Sequence, residues 1–123
     1  MWRRGGILGA RGLFHCEGAV SLAEPNDPGA AVSDLTCAIE ALYAQAEERA
    51  DLNDRAMLLT TARGYLERMP EYVSRCRHPS YNLTPTQILD ARWRYDVAKT
   101  MVYAMEALAA GSEPDEDLFL PKA

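Results

Sequence analysis

Between Pro85 and Ala110 the apolar residues fall on two helical stripes, and this feature constrains the fold more than any other. Ile88, Ala91, Tyr95, Ala98, Val102 and Met105 form the first stripe, and Leu89, Trp93, Val97, Met101, Ala104 and Leu108 the second. Steps of three and four residues keep each set on one line of an α-helix. A helix apolar over so wide an arc must touch two neighbours. Its start is well marked. Thr84 is placed to cap, Pro85 suits the first helical position, and Gln87 can complete a capping box. Gly111 is the expected terminator.

Two partner helices can be read upstream. Ser33 is a plausible cap with Asp34 near the positive end of the dipole, and Leu35, Ile39, Leu42 and Ala46 share a face, with Glu40, Gln45, Glu47 and Glu48 off it. This helix should end near Arg49 or Ala50. Asp51 or Asn53 can cap the next, whose stripe is Leu52, Ala56, Leu59, Ala62, Leu66, Met69 and Val73. Pro70 lacks an amide donor and clashes with the preceding turn, so an end or kink is expected near Met69. Ser74 to Leu83 reads as a loop. The expected fold is all-α, an antiparallel three-helix bundle over residues 33–111, with the Trp93 and Tyr95 region contributing most to burial. An alternative use of the broad third helix leaves one stripe for a partner, through Trp93, Val97 and Met101, or for a second copy of the chain.

The ends look different. Residues 1–32 hold six of the eight glycines and two prolines without any period, and read as a disordered extension. Residues 112–123 read as an acidic flexible tail. About 80 residues remain for one small domain, a poor scaffold for an enzyme. No apolar run approaches the roughly 20 residues that cross a bilayer. The interrupted MWRRGGILGARGLF start lacks a signal-peptide cleavage site. Eleven of thirteen basic residues are Arg, a bias of GC-rich genomes that points to a bacterium or its phage.

Charge is unevenly spread within a net −5. Residues 49–99 carry nine basic and six acidic groups, and residues 100–123 one basic and five acidic. A local positive region of this size keeps nucleic acid in view as a partner, although a binder of bulk nucleic acid would show a larger excess.

Three cysteines, Cys16, Cys37 and Cys76, cannot all pair within one chain and form no CxxC pair, so a reduced, cytoplasmic setting is the simpler reading. Cys37 fits a small packing residue. Arg75, Arg77 and His78 surround Cys76 in sequence and would favour its thiolate, which keeps a thiol-dependent enzyme as a third possibility. Nothing marks the orienting group or oxyanion site that such chemistry needs. No metal set and no cofactor motif stands out, and an enzyme is not expected. Asp90 with Arg94 and Arg92 with Asp96 are i,i+4 pairs that support a helix surface.

Tyr95-Asp96-Val97-Ala98-Lys99-Thr100-Met101-Val102-Tyr103 resembles the turn and recognition-helix start of helix-turn-helix DNA-binding proteins. The resemblance covers about a dozen residues. It implies a first helix over Gln87 to Tyr95 and a DNA-facing surface of Arg92, Lys99, Thr100 and Tyr103. Arg92 stands where the family has a small buried residue, and Asp96 where it has a turn glycine. The competing reading is one helix running through Asp96 without a break.

The tail joins acids, Glu113 and Asp115 to Asp117, to the apolar trio Leu118, Phe119 and Leu120. Such a segment suits a pocket with a basic rim. The reading favoured by these features is a small non-enzymatic interaction protein, an adaptor, inhibitor or accessory factor. It would present a helix face or its tail to another protein, and DNA-binding regulation is the alternative.

Overall fold

Thr84 caps the third helix as its sequence requires. Its Oγ1 accepts the Gln87 amide at 3.1 Å while Gln87 Oε1 accepts the Thr84 amide at 2.8 Å, a reciprocal capping box. In the computed structural model, which describes residues 27–113, three α-helices follow one another: α1 (Pro28–Glu48), α2 (Leu52–Arg75) and α3 (Pro85–Ala109). A single 3-10 turn, Pro79–Tyr81, lies between α2 and α3. The all-α class expected from the periodicity is the one observed, and the described residues contain no strand.

α1 begins five residues before Ser33. Asp27 is its cap, accepting the Gly29 amide at 2.8 Å, and Pro28 occupies the first turn. Pro28-Gly29 therefore opens a helix that the composition hid inside an apparent linker. Asp34 consequently sits well past the first turn, where burial raises its carboxyl above the ordinary range. Val32 and Ala31 belong to the core. Glu40, expected off the apolar face, is buried as well, as are the residues from Leu35 to Ile39 before it. Thr36 is also fully buried, its hydroxyl donating to the Val32 carbonyl at 2.8 Å. The readings made of residues 1–26 and 114–123 fall outside the described residues.

α2 starts on Asp51, whose carboxylate accepts the Asn53 amide at 2.7 Å. It does not end near Met69. The helix runs through Pro70 to Arg75, because Tyr72 and Cys76 beyond the proline, like Met69 before it, bury against the other helices. The packing outweighs the lost bond to the carbonyl four residues back. Asn82, in the left-handed region at φ 53°, turns the chain after the 3-10 turn, and its amide donates to the Pro79 carbonyl at 3.1 Å.

Contacts at the helix ends fix the direction of each helix. Gly29 and Leu83 approach each other at the start of α1 and of α3. At the far end the Arg55 guanidinium donates to three carbonyls: Nε to Ala46 at 3.1 Å and Arg49 at 2.8 Å, and Nη1 to Leu108 at 3.0 Å. One side chain near the start of α2 thus meets the final turns of both α1 and α3, where the orphan carbonyls and the negative dipole ends lie. Consecutive helices are antiparallel. Each helix packs on both others. Gly111, at φ 82°, closes α3 in a Schellman motif: the Ser112 amide donates to Ala107 at 2.9 Å and the Gly111 amide to Leu108 at 3.0 Å.

The largest fully buried side chains are Tyr43, Ile39, Met69, Met101 and Met105. The core is therefore centred on α1, and Trp93 and Tyr95, expected to dominate burial, are only partly covered. Cys37 is buried and disulfide-bonded rather than reduced.

Candidate functional site

The second stripe of α3 divides into two halves. Met101, Ala104 and Leu108 are buried in the core, where α3 meets the remainder of the bundle. Toward the N-terminal end Val97 is half-buried, Trp93 is 39 % exposed and Leu89 is 67 % exposed. Met101, at 1 % exposure, is thus a core residue and cannot face a partner, whereas Trp93 and Val97 retain accessible surface beside Leu89. Leu89 and Trp93 are one helical turn apart, so their side chains share a face. Leu118, Phe119 and Leu120, the other expected anchors, lie outside the described residues.

The helix-turn-helix resemblance requires a turn near Asp96. α3 instead continues through Asp96 from Pro85 to Ala109. Asp96 is helical, its carbonyl accepting the Thr100 hydroxyl at 3.0 Å and its carboxylate lying 3.3 Å from the Lys99 ammonium. The motif geometry is absent, and the side chains assigned to DNA are dispersed. Thr100 is half-buried and bonded within its own helix. Tyr103 is 62 % exposed. Arg92 and Lys99 turn toward α2, where they line a groove with Tyr95, Asp96, Pro70, Val73, Ser74 and Arg77. Lys99 also lies 4.6 Å above the centre of the Tyr95 ring. Of the two expected i,i+4 pairs, Asp90 and Arg94 meet at 2.8 Å, while Asp96 takes Lys99 in place of Arg92.

Cys76 occupies the C-cap of α2 and is 1 % exposed. Burial pushes its thiol up, and the Asp27 carboxylate near it adds to the shift. Its flanking cations do not impose the thiolate that the sequence suggested. Arg75 pairs with Glu71 and stacks on Tyr72, 5.4 Å from the ring centre. His78 is a structural cap: its Nδ1 lies 2.7 Å from Ser80 Oγ and accepts the Ser80 amide at 3.2 Å, with the ring edge-on to Tyr81. Among the described residues no group of three His, Cys, Asp or Glu side chains converges as a metal site, and no helix is long and apolar enough to cross a membrane.

No protein-family model, no curated protein and no solved structure matches this chain.

Arg77 is the groove residue that the sequence reading placed elsewhere, as a modifier of Cys76. It follows the end of α2, and only the antiparallel return of α3 brings it beside Arg92. Leu89 was legible as a stripe residue, but its exposure depends on which way the helix turns it, since Ala91 two residues on is buried.

Proposed function

We propose that this protein is a small interaction module that presents the N-terminal half of α3 to another protein. The observation that carries the reading is that Leu89, 67 % exposed, and Trp93, 39 % exposed, share one face of α3. A Trp beside a Leu on a rigid helix is an anchor of the kind that dominates interface energies, since both can enter a partner's groove with little loss of backbone freedom. Asp90, Arg92 and Asp96 are exposed around the pair and supply a mixed polar rim. Two anchors make a small patch, below the roughly 800 Å² per side of a standard stable interface, so the contact suits a regulated, reversible complex.

The test is capture from cells with three forms of the full chain. Leu89→Ser with Trp93→Ala should release the bound protein, with affinity falling about 30-fold or more, as expected for loss of a Trp anchor. Met57→Ser, at an exposed residue of α2 far from the face, should leave binding unchanged. Equal capture by all three forms would sink the proposal, provided their melting curves agree. If sedimentation shows that the captured species is a second copy, the face is a self-association surface.

A further inference from the structure

A groove of about 290 Å³ lies between the second half of α2 and the first half of α3. Its apolar surface is Pro70, Val73 and Tyr95, and around these stand three cations, Arg77, Arg92 and Lys99, against a single carboxylate, Asp96. Asp96 is already engaged with Lys99 at 3.3 Å. Among the described residues the Arg77 and Arg92 guanidinium groups take part in no ion pair. The groove therefore offers positive potential around an apolar strip, and it would take an acidic segment that also carries large apolar side chains.

The chain contains a segment of that composition. Glu113, Asp115, Glu116 and Asp117 precede Leu118, Phe119 and Leu120. Chain length places it within reach. Twelve residues of helix separate Lys99 from Gly111, about 18 Å at the α-helical rise. Six extended residues, Ser112 to Asp117, cover about 20 Å. A tail doubling back along α3 from the Schellman turn would bring Asp117 level with Lys99. Leu118 to Leu120 would then pass over Tyr95 and Val73, within range of Arg92.

We propose that residues 113–120 dock into the α2–α3 groove of their own chain, with Asp117 against Lys99 and the apolar trio over Pro70, Val73 and Tyr95. The docked tail adjoins the Leu89 and Trp93 face only at Arg92 and Asp96, and substitutions of Leu89 and Trp93 leave the groove's apolar strip intact, so the two readings can fail independently. A basic-groove ligand from outside would have to displace the tail.

Nuclear magnetic resonance on the full chain tests this. Cross-relaxation is expected between the Phe119 ring and the Val73 methyl groups, unchanged on tenfold dilution. Phe119→Ala with Leu120→Ala should abolish docking and shift the Val73, Tyr95 and Lys99 signals while leaving those of Leu35 and Ile39 in place. Lys99→Glu and Asp117→Lys should each weaken the contact, and together restore it. Three results would overturn the proposal: no Phe119–Val73 contact, groove signals indifferent to the tail substitutions, or a contact that disappears on dilution and so comes from a second copy.

Discussion

Arg55 reaches a carbonyl 53 residues away at Leu108 and two more at the end of α1. It is half-buried, so its bonds are shielded from water more than those of a surface pair such as Arg63 and Glu106, whose side chains are 52 % and 43 % exposed. Arg55→Ala should lower unfolding free energy by about 2 kcal/mol in urea titrations, since charge-assisted bonds to helix-end carbonyls are lost. Arg63→Ala should cost under about 1 kcal/mol. A second residue-scale effect concerns pH. Burial, with Glu47 adding to it, raises the Tyr43 hydroxyl far above its ordinary 10.0, and burial raises the Cys76 thiol above 9.0. A raised folded-state pKa means that the folded chain holds its proton when the unfolded chain has lost it. Stability is therefore full below the ordinary values and falls as pH rises above about 9 for Cys76 and about 10 for Tyr43. Melting temperature followed from pH 8 to 11 should decline, and Tyr43→Phe should flatten the decline above pH 10. Arg55 is not among the stripe residues of α2. Its role was not readable there, because nothing local marks a side chain whose acceptors lie on two other helices.

Among the elements, α3 was the most legible. Thr84, Pro85, Gln87 and Gly111 are local signals whose partners sit within a few residues, so the sequence carries them directly. The beginning of α1 was not legible, because Pro and Gly are turn residues on composition and a first turn only in the company of Asp27. α2 shows the opposite failure. Pro70 has a strong local tendency to end a helix, and the buried residues that follow it override that tendency. This gives a prediction specific to the element. Pro70→Ala restores an amide donor to the Leu66 carbonyl and relieves the ring clash, and should stabilise the protein by about 1–3 kcal/mol. A lower midpoint in thermal melts would show that the proline ring itself supports the groove wall. The candidate face was half legible for a related reason. Periodicity identified Leu89, Trp93, Val97 and Met101 as one stripe, but successive steps of four drift round the helix, so Met101 turns into the core while Leu89 turns away from it.

For the whole molecule, the first turn of α1 decides where the domain begins. A chain of residues 27–113 retains the Asp27 cap and the buried Ala31 and Val32, whereas one of residues 33–113 loses all three. The longer chain should be the more stable by about 2–4 kcal/mol, from one cap and the burial of Val32 and Ala31. Identical denaturation midpoints would remove that turn from the core. The same three-helix course leaves Asp27 and Glu113 at opposite poles, because α1 and α3 run in the same direction. α3 alone spans about 37 Å with its 25 residues. A pull applied at Asp27 and Glu113 would then draw α1 and α3 past each other along their length, loading their contact in shear. Under such tension the side chains of the whole seam must slip together, where a molecule with both ends at one pole would be peeled open one turn at a time.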